Sequence, residues 1–222
     1  MTSDYDVPED QPRPEAPAAT EDAALTDDEL DTALTMHRPR RSVWLIAVAA
    51  LVFAFGLAWW QARVLPKRFA PVVAGRLYRG GAVSPDQLER LKREYHIRTV
   101  LSLLNPEAPE SIAERDAAKR LGLMWINVAL PGNGASTPDQ RARIKDALFD
   151  DSLQPLFVHC AAGTNRTGLA VGMYRLYKQH WTLDEVLAEM RRFDFEDEPH
   201  HQNLRRALAA EAAQAAADAG PR

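Results

Sequence analysis

One stretch of the chain places a cysteine and an arginine six positions apart, with a glycine between them. Residues 159–168 read His-Cys-Ala-Ala-Gly-Thr-Asn-Arg-Thr-Gly, and Cys160 is the only cysteine in the sequence. A cysteine thiolate is a nucleophile, and the planar guanidinium of Arg166 matches two phosphate oxygens. Gly163 lets the backbone turn between them without a Cβ. The spacing therefore predicts a loop that binds a phosphate group and attacks it.

The elements predicted on either side of this loop supply the electric field that such chemistry needs. Residues 156–158 form a short apolar run typical of a buried strand, and residues 168–177 carry apolar side chains at helical spacing. Where a strand leads into a helix, free backbone N–H groups and the positive end of the helix dipole converge on an anion. The same field should favour a thiolate on Cys160. Thr167 is expected to donate its hydroxyl to the sulfur or to cap the helix.

The loop resembles the signature of the cysteine-dependent protein tyrosine and dual-specificity phosphatases. The residues that carry this resemblance are His159-Cys160, Gly163 and Arg166-Thr167-Gly168. Three flanking segments are similar to elements of bacterial members in the same order: residues 77–81, 97–103 and 181–186. The resemblance covers roughly residues 72–208, and the chain is identified as a bacterial, membrane-anchored member of this family.

The resemblance implies a two-step hydrolysis of a phosphomonoester that needs no metal and no cofactor. Cys160 attacks phosphorus to form a cysteinyl-phosphate, which water then hydrolyses. The phosphate oxygens are bound by the guanidinium of Arg166 and by the backbone amides of the loop, contributed by Ala161, Ala162, Gly163, Thr164, Asn165 and Arg166. His159 is either a support that hydrogen-bonds the loop backbone and helps to hold the thiolate, or a buried histidine at a strand end.

The general acid is less clearly marked in the sequence. Family members generally place an aspartate on a mobile loop after the preceding strand, and here that loop, residues 131–134, contains Asn133, which cannot donate a proton as an acid. Asp139 is the nearest carboxylate beyond this loop and is the predicted acid. The alternative is that Asp139 only complements a helix dipole, because it follows the helix start Thr137-Pro138.

A metal site is not expected, although residues 196–202 are rich in acids and imidazoles. The consecutive His200 and His201 point in different directions in either secondary structure, which disfavours a shared metal ion. Gln202 could orient the hydrolytic water, or it could be a plain surface residue of a helix.

The charges are segregated along the chain. Residues 1–35 hold a single arginine, Arg13, against eleven acidic side chains: Asp4, Asp6, Glu9, Asp10, Glu15, Glu21, Asp22, Asp27, Asp28, Glu29 and Asp31. Such a segment buries too little apolar surface to fold, so residues 1–36 are predicted to be a disordered acidic tail. From Phe69 onward, basic and acidic residues balance, which gives no indication of nucleic-acid binding. A single cysteine also excludes an intrachain disulfide.

Residues 43–60 form an uncharged, largely apolar run between two basic clusters. As a helix the run would be roughly 27 Å long, close to the thickness of a hydrocarbon core. A single transmembrane helix is therefore predicted within residues 37–68, which makes the protein a single-pass membrane protein. Three basic residues lie on each side of the run, so the side of the membrane that holds the catalytic domain stays open.

Strand and helix patterns alternate over the predicted catalytic domain, residues 69–208. Capping boxes begin three helices, at Ser84, Thr137 and Thr182. The expected fold class is α/β, similar to the dual-specificity phosphatases, with a largely parallel central sheet flanked by helices. Residues 209–222 are predicted to be an alanine-rich helix that frays.

The leading functional hypothesis is a protein tyrosine or dual-specificity phosphatase whose partner is a phosphorylated protein. One alternative is a lipid phosphate phosphatase that acts on a phospholipid head group near its membrane anchor. The other is a pseudophosphatase that binds phosphate without turnover, which the missing loop aspartate suggests. Sulfur transfer and arsenate reduction are disfavoured by the Arg166-Thr167-Gly168 ending of the loop.

Overall fold

The computed structural model describes residues 41–220, and it describes side chains there except at residues 41–42 and 57–63. The predicted acidic tail, residues 1–36, lies outside the described residues. The contacts divide the chain into two units, Met1–Ala54 and Phe55–Arg222.

The first described element is helix α1, Arg41–Val64, which covers the run predicted to cross a membrane. Within the part of the chain that the structure describes, no helix has the length and the apolar character that a membrane crossing requires. The prediction of a transmembrane helix over residues 43–60, and of a single-pass membrane localisation, is therefore wrong.

Five short strands form one sheet in the second unit. In chain order they are β1 (Ala70–Val73), β2 (Leu77–Gly80), β3 (Thr99–Ser102), β4 (Met124–Asn127) and β5 (Leu156–His159). Their order across the sheet is β1-β2-β5-β3-β4. Only β1 is antiparallel to its neighbour, and all other pairs are parallel. The predicted α/β fold with a mostly parallel sheet is confirmed.

Six helices of the second unit surround the sheet. They are α2 (Pro85–Tyr95), α3 (Pro109–Leu121), α4 (Pro138–Phe149), α5 (Asn165–Gln179), α6 (Leu183–Arg192) and α7 (Gln202–Ala219). The three expected capping boxes are present, because Ser84, Thr137 and Thr182 each accept a hydrogen bond from the backbone N–H three residues on. In each box the side chain of that third residue also accepts a hydrogen bond from the backbone N–H of the capping residue. Two backbone N–H groups at each helix start are thereby hydrogen-bonded.

The central strand β5 divides the core into two layers. Its side chains alternate, so that Leu156 and Val158 pack with α4, α5, α6 and α7, whereas Phe157 packs with α2 and α3. All four residues of β5 are buried, as expected for a strand with parallel neighbours on both sides. Because β2, β3 and β4 run parallel to it, their carboxyl ends meet at one edge of the sheet, and the chain leaves β5 there at Cys160.

A buried carboxylate joins three of the helices behind this edge. Glu211 of α7 accepts from Arg141 Nε and Lys145 Nζ of α4, each at 2.7 Å, and from the Tyr177 hydroxyl of α5 at 3.0 Å. Burial would raise the pKa of Glu211, but the hydrogen bonds from Lys145, Arg141 and Tyr177 outweigh it and hold the pKa below its ordinary value. The ionised carboxylate therefore stabilises the packing of α4, α5 and α7.

We predict that Glu211→Gln lowers the free energy of unfolding at pH 7 by about 2 kcal/mol, since two cations lose a charged partner. A depressed carboxyl pKa stabilises the fold above the unfolded-state pKa of about 4.3, and this contribution disappears as the pH falls through the folded-state value. The deficit of the variant should accordingly shrink below about pH 4. Urea unfolding of both proteins between pH 3 and 7 measures this, with the exposed Glu89→Gln as control. A deficit that stays constant over this range would contradict the assignment.

Candidate active site

The predicted nucleophile lies in the turn between β5 and α5. Cys160 follows directly on β5, and its side chain is buried, with 2% of the residue exposed. Helix α5 begins at Asn165, so Thr164 is its N-cap, and Thr167 is its third residue. Thr167 therefore does not cap the helix. Its hydroxyl is within reach of Cys160 Sγ, and also lies 3.3 Å from the carbonyl oxygen of Gly80.

The surroundings of the sulfur favour its ionised form. Burial alone would raise the pKa of the Cys160 thiol, but the hydroxyl and backbone N–H of Thr167, the charge of Arg166 and the N–H of Gly163 together hold the pKa below its ordinary value. A hydrogen bond to an anionic sulfur is stronger than one to a neutral carbonyl, so the Thr167 hydroxyl should prefer the thiolate over Gly80. The site therefore favours the thiolate, which is the nucleophilic form.

The loop is held with its carbonyl groups turned outward. Three successive carbonyl oxygens of the loop accept hydrogen bonds from donors outside it. The Ala82 N–H donates to the Ala161 oxygen at 3.0 Å. Arg68 Nη1 donates to the Ala162 oxygen at 2.9 Å, and Arg79 Nη2 donates to the Gly163 oxygen at 2.8 Å. When successive carbonyls point outward, the amides of the same peptide groups point inward, which makes an anion-binding concavity.

Gly163 is required at its position for two reasons. Its φ of +79° belongs to the left-handed region, which other residues adopt at a cost. In addition, a Cβ on Gly163 would lie 2.7 Å from the backbone of Gly80 and Gly81. The loop therefore packs directly against the end of β2, which brings Arg79 and Ala82 close enough to donate.

Arg166 is fixed by the ends of two other strands. Its Nη1 lies 3.2 Å from the carbonyl oxygen of Leu130, in the segment after β4, and 3.4 Å from that of Leu103, which follows β3. Its charge is among the influences that lower the pKa of Cys160. The structure thus brings Cys160 and Arg166 together, and it orients the guanidinium from the carboxyl edge of the sheet.

His159 contacts the loop backbone, and its ring is fully buried. Its Nδ1 lies 3.3 Å from the carbonyl oxygen of Cys160, and its Nε2 lies 2.9 Å from Glu114 Oε2 on α3. The other carboxylate oxygen of Glu114 accepts from Trp125 Nε1 at 2.7 Å. A buried imidazole therefore contacts the backbone of the nucleophile, and a buried carboxylate lies beside that imidazole.

The predicted acid occupies the first turn of α4. Asp139 is exposed there as the second residue of the helix, two positions after the capping residue Thr137. Asn133 lies in the preceding turn, where its Oδ1 accepts from the Ala135 N–H at 3.1 Å. The start of α4 is tied to the segment after β4, because Gln140 Nε2 donates to the carbonyl oxygen of Ala129 at 2.9 Å. Asp139 therefore lies beside the segment that also contacts Arg166, and its role as acid remains a prediction.

The segment before α7 meets the loop at Asn165. The Nδ2 atom of Asn165 lies 2.6 Å from His201 Nε2, while His201 Nδ1 lies 2.8 Å from the carbonyl oxygen of Glu196. Glu198, His200 and His201 place potential metal ligands within 4.8 Å of one another. Because both ring nitrogens of His201 have protein partners, these contacts favour a structural role for that histidine. Gln202 is the first residue of α7.

The sequence interpretation missed three residues of this site. Arg68, Arg79 and Glu114 have no motif of their own, and their roles depend on contacts between distant parts of the chain. One signal was available for Arg79: it is the only charged residue of β2, a strand whose four residues are all buried. A buried arginine in an apolar strand needs a partner, and the nearest acceptors are in the loop.

Comparison with known proteins agrees with this geometry. A family model described as "Tyrosine phosphatase family" matches residues 63–215. The dual specificity protein phosphatase TpbA of Pseudomonas aeruginosa is 31% identical over 187 residues, which cover 73% of this chain and 78% of TpbA. The inositol diphosphatase SIW14 of Saccharomyces cerevisiae is 27% identical over 134 residues, 59% of this chain. The chain spans only 46% of the length of that yeast relative.

Solved structures show the same fold. The core catalytic domain of the SIW14 phosphatase superposes with a TM-score of 0.56 at 24% identity, covering 69% of this chain and 93% of that structure. The crystal structure of TpbA gives a TM-score of 0.53 at 21% identity, covering 66% of this chain and 88% of that structure. The matches confirm the predicted family: this chain belongs to the tyrosine phosphatase family, as a cysteine-dependent phosphatase.

Proposed function

We propose that this protein hydrolyses phosphomonoesters through a cysteinyl-phosphate, and that its substrates are proteins phosphorylated on tyrosine or on tyrosine and serine or threonine. The observation that carries the proposal is the geometry of the loop, whose outward carbonyls are bound by Ala82, Arg68 and Arg79, so that its amides can face Cys160. The Gly163 and Thr167 N–H groups and the charge of Arg166 lower the pKa of the Cys160 thiol accordingly. A thiolate in an anion-binding concavity is suited to attack a phosphate ester and little else.

In the first step the Cys160 thiolate attacks phosphorus in line with the leaving oxygen. The S–P bond forms as the P–O bond breaks, and the leaving oxygen takes a proton from the general acid, for which we propose Asp139. Arg166 and the loop amides bind the three equatorial oxygens, so that charge shifting towards them in the transition state meets fixed dipoles.

In the second step water attacks the cysteinyl-phosphate from the side that the alcohol has left. The S–P bond breaks, the electron pair returns to sulfur, and the general base takes the proton from water. The products are inorganic phosphate and the thiolate. The Thr167 hydroxyl stabilises the thiolate as leaving group in this step for the same reason that it lowers the thiol pKa.

The side chains of the loop favour a substrate with a single phosphate. Ala161, Ala162, Thr164 and Asn165 are uncharged, and the two alanines are exposed at the rim. The neighbouring segment, residues 194–198, reads Asp-Phe-Glu-Asp-Glu. Additional phosphates of a substrate would meet no cation from these loop side chains and would lie near the carboxylates of this segment, of which Asp194 and Asp197 are paired with Arg68 and Arg205. A phosphotyrosine, whose ring separates one phosphate from the protein surface, meets neither obstacle.

The relatives suggest a competing substrate class. TpbA is named a dual specificity protein phosphatase, whereas the yeast relative is named an inositol diphosphatase. The uncharged loop and the acidic segment beside it support the first of these for this chain. The lipid alternative was based on the membrane helix predicted within residues 37–68, and no helix of the described residues is suited to cross a membrane. A pseudophosphatase is opposed by the presence of both Cys160 and Arg166.

We expect the protein to release phosphate from a phosphotyrosine peptide at least tenfold faster, in kcat/KM, than from an inositol diphosphate, a factor equal to about 1.4 kcal/mol of transition-state binding. We expect Cys160→Ser to abolish both reactions and to keep binding of the phosphopeptide, because the amides and Arg166 remain in place. Phosphate release and calorimetric binding measure this. Wild-type protein that binds the peptide without turnover between pH 5 and 8 would favour the pseudophosphatase instead.

A second prediction concerns the general acid. Asp139→Asn should slow hydrolysis of an alkyl phosphate about 100-fold, and that of an aryl phosphate with a good leaving group far less, since a weakly basic leaving group needs no proton. Asp146→Asn, an exposed substitution on the same helix, is the matched control. Equal slowing of the two substrates, or no slowing, would remove Asp139 as the acid.

A further inference from the structure

We propose that Arg79 is a positioning residue for the phosphate loop, whose buried guanidinium holds the Gly163 carbonyl outward and so directs the loop amides at Cys160 Sγ and at bound phosphate. This deepens the proposed function, and it depends on that function only where turnover is the readout.

Arg79 is buried with a single hydrogen bond from its guanidinium. Only 1% of the residue is exposed, and Nη2 donates to the Gly163 oxygen at 2.8 Å. Among the described residues, neither Nε nor Nη1 has a hydrogen-bond partner. Leaving charged donors unpaired in the interior is unfavourable, so a purely structural role would be served better by an apolar side chain. The charge and the one hydrogen bond to the loop therefore require a functional explanation.

The charge of Arg79 is coupled to the nucleophile. Burial lowers its pKa to about 10, while the negative charges of Glu189 and of the Cys160 thiolate act in the opposite direction. Coulombic interactions are reciprocal, so a cation that is stabilised by the thiolate stabilises the thiolate to the same extent. Arg79 is thus a further cation that acts on the sulfur, from the side on which the Gly163 carbonyl points outward.

The end of α6 supports Arg79 and its neighbour Arg68 together. The Phe193 ring lies 3.7 Å from Arg79 Cζ, a distance at which the ring face attracts the cation. The next residue, Asp194, accepts from Arg68 Nε at 2.7 Å. Arg68 binds the carbonyl oxygen of Ala162, and Arg79 binds that of the next residue, Gly163. The two residues that follow α6 therefore hold the two arginines that bind adjacent carbonyls of the loop.

The test compares Arg79→Met with Arg79→Lys in the full-length protein. The pH dependence of Cys160 alkylation gives the thiol pKa, and competition by inorganic phosphate against alkylation gives phosphate affinity, so neither readout needs turnover. We expect Arg79→Met to raise the thiol pKa by about one unit, which leaves roughly tenfold less thiolate near pH 6. Phosphate affinity should fall by a similar factor. Arg79→Lys keeps the charge but lacks the planar guanidinium, so its thiol pKa and phosphate affinity should lie between those of the wild type and of Arg79→Met.

A second buried arginine provides the matched control. Arg175 of α5 is 8% exposed, pairs with Glu189 at 2.6 Å and lies 4.5 Å from the Trp181 ring, but it donates to the Val72 carbonyl instead of the loop. Arg175→Met should lower the melting temperature but shift the thiol pKa and phosphate affinity far less than Arg79→Met, because Arg175 has no hydrogen bond to the loop and influences Arg79 only through charge. Loss of a buried arginine alone would therefore not produce the expected shift.

The possible outcomes decide the proposal. A folded Arg79→Met protein with the wild-type thiol pKa and phosphate affinity would overturn it, as would an equal shift in Arg175→Met. If Arg79→Met does not fold, Arg79→Lys and Phe193→Leu carry the test, because both keep a cation at this site. A raised thiol pKa in these two supports the proposal, and wild-type values in both overturn it.

Discussion

The site depends on the direction of the peptide groups between Cys160 and Thr167. The N–H and the carbonyl of a peptide group point in opposite directions, so amides that face an anion leave their carbonyls facing away from it. An anion-binding concavity therefore forms only if those carbonyls accept hydrogen bonds from other parts of the protein. The backbone after β2 and the two arginines at residues 68 and 79 provide those donors. The inward amides can then stabilise first the thiolate, then phosphate oxygens, without reorganisation during the reaction.

The sheet explains why these groups converge. Strands β2, β3 and β4 run parallel to β5, so the segments that follow them lie around the carboxyl end of β5, where the nucleophile is. The segment after β2 binds the outside of the loop, while the segments after β3 and β4 bind Arg166. A parallel arrangement is thus what lets three distant parts of the chain act on one short loop.

Much of this could be predicted from local sequence. The Cys160–Arg166 spacing, the apolar run of β5 and the three capping boxes act over a few residues, so their pattern is readable without the fold. The roles of Arg79 and Glu114 could not be predicted in this way, because each depends on a contact with a residue more than 40 positions away. The membrane prediction over residues 43–60 relied on the apolar composition and length of the run and on its basic flanks, and the described part of α1 did not support it.

The central claim is that the fold keeps Cys160 ionised, and titration of this thiol tests it most directly. The rate of alkylation by iodoacetamide, measured against pH in the wild-type protein and in Thr167→Val, reports the thiolate fraction. The account predicts a wild-type pKa clearly below the value of about 8.5 for free cysteine, and a higher pKa in the variant. A wild-type thiol that titrates like free cysteine would contradict the account.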